Sequence, residues 1–409
     1  MSTNPEPTID TAFPAAIAAG QINGAVLLAT NTDDTFNYTA ALGQRTLLSG
    51  EKRPQQLDDI LYLASATKLL ATIAALQAVE DGLLTLDDEI PSTIAPELSA
   101  SNLTVLNKDA TETVPAERGI TLAMLLTHTS GISYDFLVPR LSKWRQENEP
   151  PLAEDARRPV EEAFRYPLGF QPGTGWMYGP GLDWAGRIVE RVRGETLGEA
   201  VRKRITGPLG IAEEEVQFYP VKGEKVRERM VDLNEHDPEG LGQAVTGSPG
   251  SPNKRSQGDF GGHGGFMSGE GYIKLLRALL KNDGTLLRPE TVESMFQNQI
   301  RPEAEVNFQA TLNGPAGGFF RLGVDAGKKL GHGYGGLLTL EDLDNWYGQH
   351  TLTWGGGLTL TWFADRKTGL AGFCAVQASL PLPIDVPAAT ELKQVFRRDV
   401  FRKYAASKL

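Results

Sequence analysis

Residues Leu61–Gly82 read LYLASATKLLATIAALQAVEDG. From Leu69 to Val79 only Thr72 and Gln77 interrupt a run of Ala, Leu, Ile and Val, and no Gly or Pro breaks it. Such a stretch predicts a helix apolar all round, hence buried, with its end at Gly82, where a C-terminal glycine is expected. Its opening turn is the exception. Ser65 and Lys68 stand three residues apart, a spacing that places both on one helix face within reach of each other.

That pairing carries chemistry. A serine hydroxyl is a weak nucleophile at neutral pH and needs a neighbour to take its proton. A lysine in apolar surroundings near a helix start is placed to be that neighbour, because burial and the helix dipole both oppose its charge. The amides at the same helix start point outward, where they can hold the anion formed during acyl transfer. The same residues also suit a serine N-cap followed by a snorkelling lysine. Ser-x-x-Lys recurs at Ser49–Lys52, in a polar turn, and at Ser251–Lys254, in a Gly/Pro-rich stretch; only Ser65 opens a long apolar helix.

Outward from this helix, strand patterns occupy both ends of the chain. GAVLLAT (Gly24–Thr30) and TFNYTAALG (Thr35–Gly43) flank a polar turn, after a short N-terminal helix. GQHTLTW, LTLTWFAD and LAGFCAVQA follow near the other end, before a last helix AATELKQVFRRDVFRKYAA. Between them the patterns are mostly helical, including ITLAMLLTHTSG, PVEEAFRYPL and LDWAGRIVERVRGETLGEAVRKRITGPLG. Short strands joined by tight turns imply an antiparallel sheet. The expected architecture is an α/β (α+β) lobe of residues 1–62 and 255–409, whose sheet draws on both chain ends, with a mostly helical lobe of residues 63–254 inserted.

SATK at the start of that helix, LLTHTSG at Leu125–Gly131 and QPGTGWMYGPGLDWAG from Gln171 resemble the serine β-lactamase and penicillin-binding-protein superfamily. The resemblance extends over nearly the whole chain and is to the class C-type esterase and transesterase branch, including fungal members. It implies a β-lactamase-like fold with the active site between the two lobes. It implies Ser65 as nucleophile, Lys68 as its activating partner and Tyr178 as the residue that relays protons to and from hydroxyl groups. Whether Lys68 or Tyr178 is the base stays open, since the two form a coupled pair.

Two departures from the family pattern narrow the substrate. Where β-lactamases carry Tyr-x-Asn or Ser-x-Asn, this chain has Tyr178-Gly179-Pro180, which lacks the amide that holds a lactam or peptide carbonyl. Where the family carries Lys-Thr-Gly on a strand, Trp354-Gly355-Gly356-Gly357 occupies the place, as in esterase relatives. The literal Lys367-Thr368-Gly369 lies between two strand patterns and reads as a hairpin turn. The amides of Ser65 and Gly357 match the oxyanion-hole pair by position. Tyr134, Phe136, Trp176 and Trp354 suggest an apolar cleft, and the sequence does not separate those that line it from those that pack the core. His128 is expected to end a helix, and His263 and His332 to lie in glycine-rich turns, all without catalytic roles.

The expected reaction carries an acyl group from an ester or thioester, through a Ser65 acyl-enzyme, to a hydroxyl of a polyketide-type small molecule. The donor is expected to be an acyl thioester, free or on a carrier protein. With water as acceptor the same machinery is an esterase. A non-catalytic binding protein and a β-lactamase or D-Ala peptidase are weaker alternatives, the last disfavoured by Pro180 and Trp354. A net charge of −11 argues against nucleic acid and anionic membranes as partners. No His/Cys cluster has metal spacing, so no metal and no cofactor are expected. A single cysteine, Cys374, and a beginning without a basic, apolar leader fit a cytoplasmic protein.

Overall fold

The computed structural model describes residues 6–409 apart from 110, 111, 154, 232, 244–251, 316 and 378–384. Its strands are β1 Gly24–Asn31, β2 Asn37–Thr46, β3 Lys52–Pro54, β4 Ile60–Tyr62, β5 Thr104–Leu106, β6 Thr113–Pro115 and β7 Val216–Phe218. They continue with β8 Gly265–Ser268, β9 Leu330–Gly333, β10 Gly336–Thr339, β11 Leu352–Gly356, β12 Leu360–Asp365 and β13 Leu370–Gln377. Eight of them form one antiparallel sheet in the order β3-β2-β1-β13-β12-β11-β10-β9. The seam that joins the two chain ends is β1 on β13, running from Gly24 opposite Gln377 to Asn31 opposite Leu370. The sheet is thus built from both ends of the chain, as the strand patterns predict.

Helices cover both faces of this sheet. Tyr272, on the helix Gly269–Lys281, packs against Trp362 and Phe373. Phe396 and Phe401, on the C-terminal helix Val386–Ala406, pack against Phe363. Trp362 and Phe363 are neighbours in β12 and therefore point to opposite faces. Double cover explains why all eight residues of β1 and all six of β12 are buried. Cys374 is a buried strand residue in this layer.

The helix of the opening stretch runs Thr67–Glu80 and buries every residue from Thr67 to Ala78; Gly82 follows in a left-handed conformation at φ 73°. Just before it, Ala64–Ala66 form a tight 3₁₀ turn. A second small sheet, β4-β8-β7, lies beside this turn, and the Leu63 amide donates to Gly265 O at 2.9 Å. The hairpin β9–β10 corrects the expectation for GHGYGG. His332 lies in a buried strand, and only Tyr334-Gly335 turns. Ser251 is outside the described residues, although Lys254 lies in the 3₁₀ helix Pro252–Arg255, while Ser49 and Lys52 are exposed. Among the described residues no helix is long and apolar enough to cross a membrane.

Candidate active site

Ser65 sits in the middle of the 3₁₀ turn, partly exposed, behind Ala64 at φ 44°. A left-handed conformation at a residue with a Cβ costs about 1–2 kcal/mol, and such strain gathers at functional sites. Tyr272 fixes the turn from below by donating to Ala66 O at 3.0 Å. One helical turn on, Lys68 is almost fully buried. Its Nζ lies 3.4 Å from Ser65 Oγ, 3.4 Å from Tyr134 Oη and 2.7 Å from the Gly262 carbonyl oxygen, to which it donates.

Tyr178 Oη lies 2.5 Å from Ser65 Oγ. The phenol is held by its backbone, because the Tyr134 amide donates to Tyr178 O at 3.2 Å. Gly179 presses against the neighbouring segment so closely that a Cβ there would lie 2.1 Å from Ile132 O. Pro180 then caps the helix Gly181–Arg193. Lys68 Nζ also lies 4.6 Å from the Tyr178 ring centre, a cation–π distance. Ser65, Lys68 and Tyr178 therefore converge, although 113 residues separate the serine from the tyrosine.

Two histidines stand behind Tyr178. His128 follows the helix Leu122–Leu126 at φ 60°, and its ring meets the rings of Tyr178 at 4.8 Å and His332 at 5.5 Å. Burial, with His332 and Lys68 nearby, pushes the His128 imidazole well below its usual value. Burial likewise pushes His332 down to about 4, against the pull of its hydrogen bond to Gly333 O. Both rings are neutral packing around the phenol at pH 7. The crevice bounded by Lys68, His128, His332 and Trp354 has no room for a water molecule.

The aromatic residues divide. Tyr134 contributes a hydroxyl to Lys68, and burial first, then Asp183 and Tyr178, hold that phenol well above its usual range, so it stays protonated. Phe136 is 72% exposed and stacks on Tyr134, forming an apolar rim. Trp176 does not line the cleft: it is fully buried among Phe308, Phe320 and His128. Trp354 is nearly buried too, with its ring 5.2 Å from that of Tyr178, so it backs the phenol and is not an open wall.

β11 brings Gly355, Gly356 and Gly357 to the serine turn. A Cβ on Gly356 would lie 2.1 Å from Leu63 O, so only glycine lets the strand approach this closely. Gly357 leaves the strand at φ 56°, and Lys393 anchors the following turn by donating to Leu358 O at 2.6 Å. Lys367 is remote from all this, in a surface turn paired with Asp342 at 2.6 Å.

Asp183 lies within the stretch that carries the family resemblance and Gly262 beside His263, but nothing in the sequence singles out either as a site residue. GGHGG reads as a turn, and an acidic residue at a helix start reads as a dipole partner. No spacing rule links positions 68, 183 and 262.

The sequence profile described as beta-lactamase matches residues 9–395. A protein of Penicillium rubens described as lovastatin esterase is 59% identical over 402 residues, covering 98% of this chain and 99% of that protein. The monacolin J acid methylbutanoyltransferase of Aspergillus terreus is 34% identical, covering 98% of this chain and 97% of that protein. A solved structure of simvastatin synthase from Aspergillus terreus, the LovD6 mutant, superposes with a TM-score of 0.82 at 33% identity, covering 97% of this chain and 95% of that one.

Proposed function

The chain belongs to the beta-lactamase family, as an acyltransferase or esterase within it, and from that premise we propose that Ser65 carries the acyl group of a polyketide-type ester. The observation that supports this most is the approach of two proton-handling groups to one hydroxyl. Tyr178 Oη is 2.5 Å and Lys68 Nζ 3.4 Å from Ser65 Oγ.

In this mechanism Ser65 Oγ attacks the ester or thioester carbonyl while its proton passes to the Lys68–Tyr178 pair. The amides of Ser65 and Gly357 receive the oxyanion, the kind of contact whose loss costs about 3–4 kcal/mol of barrier. Collapse breaks the bond to the leaving alcohol or thiol, which takes the proton back from Tyr178. A second nucleophile then loses its proton to the same pair, attacks the acyl-enzyme and frees Ser65. Pro180 and Trp354 offer no side-chain amide or lysine charge for a lactam or its carboxylate, which supports ester chemistry.

Two acceptors fit. Water is supported by the 59% identical esterase. A hydroxyl on a small polyketide is supported by the methylbutanoyltransferase, with an acyl thioester, free or on a carrier protein, as donor. Product analysis separates them. Lovastatin supplied alone tests hydrolysis, and monacolin J acid with a methylbutanoyl thioester tests transfer. Release of free acid at a rate indifferent to added monacolin J acid would establish the esterase; acylated monacolin J as the main product would establish the transferase. Neither product, from folded protein, would overturn the proposal.

A further inference from the structure

The strongest hold on Lys68 is the Gly262 carbonyl oxygen at 2.7 Å, nearer than Ser65 Oγ at 3.4 Å. What holds that carbonyl is a carboxylate. The Gly262 amide donates to Asp183 Oδ1 at 2.7 Å, and His263 Nδ1 lies 3.5 Å from the same oxygen. Asp183 thus grips the chain on both sides of the carbonyl. A Cβ on Gly262 would lie 2.2 Å from Asp183 Oδ2, so glycine is what allows the grip. On its far side His263 Nε2 meets Ser256 Oγ at 3.0 Å.

Asp183 is fully buried in the first turn of the helix Gly181–Arg193, the helix that Tyr178 and Pro180 lead into. The positive end of that helix favours a carboxylate there. Its Oδ2 accepts no hydrogen bond from the described residues, an arrangement that costs stability and that packing alone does not call for. Ser256, His263 and Asp183 follow the order of a hydrolase triad, but Ser256 is 5% exposed and His263 is 7% exposed. A substrate carbonyl has no way in, so the row acts on the site indirectly.

We propose that Asp183, with His263, is a positioning residue for the reaction: it fixes the Gly262 carbonyl and so holds Lys68 Nζ against Ser65. The inference rests on the reading of Ser65 and Lys68 given above. The groups that feel Asp183 are the Gly262 amide, His263 and the phenols Tyr134 and Tyr166, whose ionisation it opposes. One helix start then sets both proton carriers, Tyr178 through its backbone and Lys68 through Gly262.

The test compares Asp183→Asn, His263→Asn and His263→Leu with the unaltered protein. Three quantities are measured: the rate of Ser65 phosphonylation by a serine-reactive phosphonate, kcat and KM on an aryl butanoate, and Tm. Misplacing a reacting group by about 1 Å costs up to about a hundredfold, so Asp183→Asn is expected to slow phosphonylation and kcat by about 10- to 100-fold with KM little changed. His263→Asn keeps an N–H donor near the place of Nδ1 and is expected to retain activity, while His263→Leu falls with Asp183→Asn. Folded Asp183→Asn reacting at the unaltered rate would overturn the proposal. Should that variant not fold, equal losses in the two His263 variants would overturn it. An unaltered protein that takes no label on Ser65 would instead remove the functional reading beneath it.

Discussion

Tyr178 Oη lies 2.5 Å from Ser65 Oγ, and Lys68 reaches the same oxygen only at 3.4 Å while donating to Gly262. Of the two proposed proton carriers the phenol is therefore the nearer to the serine oxygen. Tyr178→Phe is expected to lower kcat by roughly 10²- to 10⁴-fold with little change in KM, the range of a lost general acid–base group. Lys68→Met is expected to lose at least as much, because it also strands the Gly262 carbonyl. Steady-state ester hydrolysis by folded variants checks both. Near-native kcat in Tyr178→Phe would shift the proton transfer to Lys68 alone.

The contact between Gly356 and Leu63 gives a second prediction. Alanine at 356 would place a Cβ 2.1 Å from Leu63 O, so β11 and the serine turn must move apart. A shift of about 1 Å at the proposed oxyanion amides of Ser65 and Gly357 predicts a loss of up to about 10²-fold in kcat. Gly82→Ala is the control, since it meets no atom within 4 Å and bears only the strain of φ 73°. It is expected to lower Tm while leaving kcat unchanged.

Acid should loosen the packing behind Tyr178. His332 takes up a proton near 6.5 in the unfolded chain but holds out to about 4 in the fold. Its contribution is present above about 6.5 and lost as pH falls toward 4. Asp59, pushed up to about 6 by burial, works the other way: the folded chain takes its proton earlier than the unfolded one. The histidine is therefore read as a difference. His332→Asn removes the titration, and urea denaturation at pH 7 and pH 4.5 is expected to show a larger loss in the unaltered protein. Equal losses would contradict this.

Trp176 separates stability from recognition. It is fully buried against Phe308 and Phe320, so Trp176→Ala is expected to cost about 3–5 kcal/mol of stability. Trp176→Phe is expected to fold with KM unchanged. A KM that rises in Trp176→Phe without loss of Tm would return this residue to the substrate cleft.

The parts of the site legible in the sequence are those governed by short-range rules. Ser65 and Lys68 stand three apart at the head of an apolar helix, and Gly82 closes it. The strands at both ends declare themselves by composition, whereas their seam at β1 and β13 is a long-range pairing that only the fold displays. Long-range contacts obey no such rule. Asp183, Gly262 and the Tyr134 hydroxyl meet Lys68 or its anchor only through tertiary packing. Aromatic identity does not separate a cleft wall from a core, which is why Trp176 is misread. Glycine hides strands: in GHGYGG it suggests turns, yet His332 is a buried strand residue because Gly331 and Gly333 admit close neighbours on either side.

In the proposed reaction a covalent bond forms between the substrate acyl group and Ser65. Rapid acid quenching of the enzyme with a methylbutanoyl thioester, followed by peptide mass mapping, tests this directly. The predicted result is one acyl group on the peptide containing Ser65, formed before product and absent in Ser65→Ala. Product formation with no adduct on that peptide, or turnover that persists in Ser65→Ala, would contradict it.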